Sequence, residues 1–464
     1  MALIPQPSDY RPDPAIARLS DFIGDPVAPA RFPQHILRFR NLRWDGAVGL
    51  DTLDDDQWIA HFGRFEPLAG NLPKPLALRY HGHQFRAYNP DIGDGRGFLF
   101  AQLRDGYDRL LDLGTKGSGQ TPYSRFGDGR LTLKGGVREV LATEMLEALG
   151  VETSKSFSLI ETGEMLERGD EPSPTRSSVL VRLSHGHIRI GSFQRLAAIG
   201  DAEALARLTD YSLEHYYGET GRNEAPVRLL THVVEHTAWL AASYMAAGFV
   251  HGVLNSDNIA ISGESFDYGP WRFTPRWDPR LTAAYFDRTG LYAFGRQAQA
   301  IHWDVVQLAV ALRTVAEADE LLPPLEAFPR LFEQALHRAL IARLGVQPRD
   351  DESDAALAQA IVAALSESEI TIDRFFFDWR GGRLRKDSPL YDDEVFRAFR
   401  ENVLSYANNG LTGHAYWDDK EPCAMHIDEV EAIWARIDLQ DDWSCFDDKI
   451  AAIRRMGDAL RASA

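Results

Sequence analysis

Apolar and polar residues follow two different rhythms along this chain. Between about 76 and 195, apolar residues gather in short runs closed by glycine: FLFAQL (98–103), RLLDLGTK (109–116), SFSLIET (156–162) and SVLVRLS (178–184). Runs of that length, bounded by turn formers, predict strands. One segment among them repeats differently. Val137, Val140, Leu141, Met145, Leu146 and Leu149 fall at helical spacing, and Gly150 predicts the stop. Beyond about 200 the helical period takes over. Residues 228–249 place Leu230, Val233, Val234, Thr237, Leu240, Ala241 and Met245 on one stripe that ends near Gly248. Further helices are predicted over 301–317, 325–345 and 355–366, whereas 267–300 is irregular and rich in Pro, Gly and Arg. The segment 1–75, with many Pro and Asp, reads as an extension packed around the core. The C-terminal stretch reads as a helical cap.

Composition narrows the class. The 464 residues are 44% hydrophobic and 11% aromatic, enough for a large buried core. A balance of 50 Lys and Arg against 68 Asp and Glu gives −18, which excludes nucleic acid or an anionic membrane as the main partner. No apolar stretch reaches the length of a membrane span, and the start MALIPQPSDY has no signal-peptide pattern, so a cytoplasmic location is expected. Cys423 and Cys445, well separated and outside any CxxC, read as two reduced thiols. His81/His83 and His185/His187 are H-x-H pairs that could share a strand face around zinc, but neither has a third ligand at sensible spacing.

The chemistry concentrates in HGVLNSDN (251–258) and DYGP (267–270), directly after the long helix. In kinase-like phosphotransferases a loop Asn and a following Asp hold the Mg²⁺ that clamps ATP phosphates, which here makes Asn258 and Asp267 the metal pair. NIAIS (258–262) would be the short strand between them. Two residues after His251, where such loops carry the base Asp, stands Val253; Asp257 is the nearest spare carboxylate. Upstream, the glycines of Gly93-Asp94-Gly95-Arg96 allow backbone N–H groups close to phosphates. Lys116 ends a strand facing another glycine turn, and Glu139 follows on the next helix, a spacing that suits a Lys–Glu ion pair. Arg182 and Arg189 stand at a strand end and the turn after it, where guanidinium groups can grip phosphate. Strand–strand–helix–strand–strand followed by helices is the order of a protein-kinase fold.

These residues resemble a known family. RYHGHQF (79–85), GDGR (93–96), LGTKGSGQTPYSRFGDGR (113–130), REVLATEML (138–146), HGVLNSDN and DYGP together are similar to the selenoprotein O family of pseudokinase-fold protein adenylyltransferases, over about 80 to 310. The resemblance implies transfer of AMP from ATP to protein Ser, Thr or Tyr hydroxyls, with Mg²⁺ or Mn²⁺ and with ATP flipped relative to ordinary kinases. It implies that Gly93, Gly95, Arg96, Lys116, Asp128, Gly129, Arg182 and Arg189 contact ATP and that Glu139 pairs with Lys116. It further implies that Asn258 and Asp267 bind the metal and that Asp257 accepts the proton. The chain departs from the family's usual pattern at RYHGHQFRAYNPDIGDGRG and KGGVRE, and the analogy leaves the C-terminal region uncovered.

The expectation is an α+β, bilobal, kinase-like (pseudokinase) fold. It has an extension (1–75), a nucleotide-binding lobe (76–200), a lobe with catalytic loop and metal site (201–320) and a C-terminal helical region (321–464). Its partners would be ATP and hydroxyl-bearing proteins. An ordinary kinase-fold phosphotransferase and a non-catalytic nucleotide-binding scaffold are the competing readings.

Overall fold

The four strands expected from the apolar runs form the middle of one antiparallel sheet. In the computed structural model, which describes residues 4–169, 171–406 and 413–462, the strands lie in the order Gly24–Pro26, Leu76–Leu78, Leu99–Arg104, Leu110–Lys116, Thr175–Ser184, Lys155–Leu166 and Ile36–Arg40. Leu131–Thr132 pairs with Thr175–Ser184 off this path. Both edges come from the segment read as an N-terminal extension. The strand GDP and the strand ILRFR are too short to carry a pattern, so this segment is woven into the sheet rather than only packed around it.

Side chains alternate across the sheet as the two-residue period requires. Val179 and Val181 join Trp58, Phe62, Phe100 and Phe157 on one face, where the Trp58 and Phe157 ring centroids are 5.0 Å apart. Leu180 joins Leu99 and Leu159 on the other, beneath the helix Leu133–Ala148. That helix begins a turn before its periodic stripe, because Thr132 caps it by accepting the Gly135 N–H. Gly150, at φ +83°, follows its C-cap Leu149.

The second half of the molecule is helical. Ala225–Ala247 is closed by Gly248 at φ +70° and packs against Gln297–Leu312 and Ala318–Leu344. Asp351–Glu367 follows. NIAIS does not form the expected strand. A 3-10 turn occupies Ser256–Asn258, and only the bridge between Arg189 and Ala260 is sheet-like; the strand pair there is Phe249–Val250 with Arg272–Phe273. The last helices, Ile427–Gln440 and Ser444–Ala462, return to the helix Leu133–Ala148, where Ile450, Ile453 and Met456 enter the same core as Val140. The result is a mixed α/β fold. Among the described residues no helix is long and apolar enough to cross a membrane.

Candidate active site

A cavity of about 510 Å³ opens where the sheet meets the turn Ser256–Asn258. Its wall includes Gly93, Gly95 and Arg96 from the turn before Leu99–Arg104, Lys116 from a central strand, and Asp128 and Gly129 from the glycine loop. Arg182 enters from the neighbouring strand, Arg189 from the residue before the helix Ile190–Ala198, and Asp257 and Asp267 from the segment after the long helix. Of the residues singled out in the sequence, Glu139 and Asn258 do not line the wall. Glu139 stands directly behind Lys116. Asn258 adjoins Asp257, and its Nδ2 donates to the Val253 carbonyl at 3.0 Å.

Sequence dictates this convergence. Leu113 and Gly114 pair with Leu183 and Arg182 across the sheet, which puts Arg182 beside the end of the Lys116 strand. Gly93 is required by space, since a Cβ there would lie 2.5 Å from the Tyr123 ring. The ammonium of Lys116, 4% exposed, pairs with the Glu139 carboxylate and lies 3.0 Å from Asp267 Oδ1. Arg182 lies 3.3 Å from the same oxygen. Arg189 donates to the Asp257 carbonyl at 3.1 Å and meets Asp94 at 3.4 Å, with its guanidinium 4.2 Å from the Tyr80 ring centroid.

The two site aspartates have opposite electrostatics. Burial alone would raise both. At Asp267 the charges of Lys116, Arg182, Arg189 and Arg96 outweigh burial and hold the carboxyl well below its ordinary range. At Asp257 burial dominates, Arg189 opposes it only in part, and the carboxyl is pushed up to about 6. Asp267 also adopts φ +63°, a strained backbone for a non-glycine residue that is characteristic of functional sites. Seven cationic side chains line the cavity against four acidic ones, in a chain that carries −18. That excess suits a polyanion. Among the described residues, Asp257 Oδ1, Arg182 Nε, Arg189 Nε and Glu139 Oε2 are buried without hydrogen-bond partners. The ionised carboxylate of Asp267 is a donor that fits a hard divalent cation sharing its shell with phosphates.

Asp128 pairs with Arg168 at 2.8 Å, and both line the cavity. The histidine pairs hold structure. His81 Nδ1 meets the Tyr88 hydroxyl at 2.6 Å, His83 meets Gln194 at 2.7 Å, the His185 backbone N–H donates to Glu264, and His187 bonds Ser184. Among the described residues no group of three or more His, Cys, Asp or Glu could hold a metal by itself.

Several site residues escaped the sequence reading. Gly82 lies so close to the turn that a Cβ would be 2.7 Å from Asp257 Oδ1. Tyr80 and Asp94 orient Arg189. Asp304, on the helix Gln297–Leu312, is a buried carboxyl whose Oδ2 has no partner among the described residues. The signal for Gly82 and Tyr80 was the RYHGHQF motif, which had no chemical role when read alone.

Comparison with known proteins extends the resemblance beyond 80–310 to both ends. The family described as protein adenylyltransferase SelO matches residues 8–454, the C-terminal region included. A protein nucleotidyltransferase YdiU of Synechococcus elongatus is 50% identical over 353 residues, covering 75% of this chain and 70% of that protein. Proteins of the same name from a Synechocystis species and from Trichodesmium erythraeum are 46% and 40% identical over 95% of this chain and 97% and 98% of theirs. The cavity's cationic excess, its buried Lys–Glu pair and its two contrasting aspartates thus sit in a chain that belongs to the SelO family of protein adenylyltransferases and is a nucleotidyltransferase.

Proposed function

We propose that the cavity binds ATP and that Asp257 takes the proton of a protein Ser, Thr or Tyr hydroxyl as that oxygen attacks the α-phosphorus. The new O–P bond forms as the bond to the β-phosphate oxygen breaks, and pyrophosphate leaves. Lys116, fixed by Glu139, and Arg96, Arg182 and Arg189 neutralise phosphate charge, while the glycines at 93, 95 and 129 let the backbone approach it. Asn258 and Asp267 would hold Mg²⁺ or Mn²⁺, which when bound supplies further charge neutralisation on the phosphates. The fold is read as a bilobal kinase-like one, with residues 76–200 and 201–320 as its lobes, 1–75 as the extension and 321–464 as the helical region. The order of elements and the Lys116–Glu139 pair support that reading. The two free thiols suit a cytoplasmic setting.

One observation carries the assignment of the base. Asp257 lines the cavity and, among the described residues, its Oδ1 has no hydrogen-bond partner, whereas the position two residues after His251 is the apolar Val253. The test is parallel labelling with ATP traced at the α- or the γ-phosphate. Label entering protein from the α-position with release of pyrophosphate is expected. Label from the γ-position would establish a phosphotransferase, and label from neither, with ATP bound, a scaffold.

A further inference from the structure

The RYHGHQF segment makes a hairpin, Gly82–Gln84 paired with Ala87–Asn89, whose two-residue tip is Phe85-Arg86. Both tip residues have positive φ, +49° and +64°. Tips of that kind ordinarily take Asn or Gly, and a bulky Phe is held there only when its surroundings impose it. Here they do. The Phe85 N–H donates to Asn255 Oδ1 at 3.0 Å, and the Tyr292 hydroxyl donates to the same oxygen at 2.7 Å. The Phe85 ring lies 5.0 Å from Tyr292, and Arg86 sits 5.3 Å above Trp303. The strained turn therefore fixes an aromatic ring beside a residue only two positions from Asp257, while the preceding Gln84 lines the cavity itself.

That ring is not buried. Phe85 is 39% exposed and touches Phe286, 45% exposed, at 5.8 Å; Phe286 touches Tyr285, 82% exposed, at 5.1 Å. Three solvent-facing aromatics thus form one strip leading outward from the Asp257 end of the cavity. Exposed arginines bracket it in sequence, Arg86 next to Phe85 and Arg288 two residues beyond Phe286. Contiguous exposed aromatic surface beside a reaction centre marks a binding face.

We propose that this strip docks the acceptor segment of the protein substrate, and that it selects an apolar or aromatic side chain beside the acceptor hydroxyl with acidic residues further out. The occupant follows from place and charge. The strip begins at the residue after Gln84, which lines the cavity, and its exposed flanking charges, Arg86 and Arg288, are positive in a chain of net −18. The proposal rests on the reading that Asp257 receives that hydroxyl.

The experiment uses the whole chain with Mg²⁺ and an ATP analogue that cannot be cleaved between the α- and β-phosphates. Fluorescence anisotropy follows a labelled peptide in which a serine is flanked by phenylalanines and then by glutamates. A Tyr285→Ser/Phe286→Ser variant should bind this peptide at least tenfold more weakly, with melting temperature and nucleotide affinity unchanged. Arg288→Glu should weaken binding of the acidic peptide while leaving a version with glutamine in place of glutamate unaffected. Equal binding by wild type and variants, equal binding of a peptide with alanines beside the serine, or no binding to wild type would overturn the proposal. Transfer of α-label from ATP to the same peptide is scored separately. Strip-dependent binding without transfer would sink the assigned reaction and keep the docking surface; transfer indifferent to the strip would do the reverse.

Discussion

Asp257 and Asp267 line one cavity, yet their surroundings divide the labour between them. Asp267 is held ionised by four cationic neighbours, which suits a group that grips a cation, whereas Asp257 is buried beside a single arginine and, among the described residues, has one oxygen with no hydrogen-bond partner, which suits a group that accepts a proton. Asp257→Asn should therefore lower AMP transfer by about 10²–10⁴, the usual yield of a general base, with nucleotide affinity retained in a filter-binding or calorimetric titration. Comparable loss of ATP binding would show that Asp257 belongs to the nucleotide grip instead. Asp304 carries the converse logic. Burial first, and the nearby charge of Asp257 second, push its carboxyl well above the ordinary range, and Arg86 offsets this only in part. The folded chain then binds that proton more tightly than the unfolded chain. Its stabilising contribution is full below the unfolded value of about 3.9 and is lost as pH rises through the folded value. Asp304→Asn removes this liability. Its melting temperature should exceed that of the wild type at pH 8, and the gap should shrink on acidification. A variant no more stable at pH 8 would mean that Asp304 has a polar partner that compensates its burial.

Elements that announce themselves through period were legible, and elements defined by contact were not. The central strands and the Leu133–Ala148 helix follow from long apolar runs, so the pairing of Lys116 with Glu139 could be read from their spacing taken together with the glycine turn and the Asn258/Asp267 pair. The alternation in NIAIS imitates a strand, but Ala260 has only the isolated bridge to Arg189 and no ladder to extend. The edge strands are too short to show a period. The hairpin tip at Phe85-Arg86 carries the opposite of a turn signature, because its conformation is imposed by Asn255, Tyr292 and Trp303 from distant parts of the chain. The hairpin's fit against the turn Ser256–Asn258 is testable through Gly82. A Cβ there meets Asp257 Oδ1 at 2.7 Å and Asp257 Cβ at 2.9 Å, so Gly82→Ala must displace either the hairpin or the turn. We expect a stability loss of about 1–3 kcal/mol and a fall in AMP transfer larger than any fall in ATP affinity, measured by denaturant unfolding and by parallel transfer and binding assays. Unimpaired transfer would show that the hairpin does not set the position of Asp257.

At the scale of the whole molecule, the two ends of the chain close around the helix that carries Glu139. The N-terminal strand Ile36–Arg40 flanks the sheet, and its Arg38 joins Arg176 in binding both Glu161 and Asp441, the first residue after the helix Ile427–Gln440. The final helix then lies along Leu133–Ala148. There the Arg454 guanidinium makes a two-point contact with Glu144, with both N–O distances at 2.8 Å. The Glu144 side chain is 2% exposed and Arg454 is its two-point partner in the core; Arg43 at 4.0 Å and Asn41 at 3.4 Å give lesser support. Removing one partner of such a pair strands a buried charge, whereas replacing both with apolar groups need not destabilise. Arg454→Met should thus lower the unfolding free energy by about 2–3 kcal/mol, below the full range for buried pairs because a quarter of the arginine side chain is in solvent. Adding Glu144→Met to it should recover most of the loss. Because Glu144 and Glu139 share one helix, the single variant should also loosen the Lys116 anchor and weaken ATP binding, and the double variant should restore it. Chemical denaturation and nucleotide titration of the two variants decide the matter: recovery of stability without recovery of ATP affinity would separate the C-terminal helix from the active site.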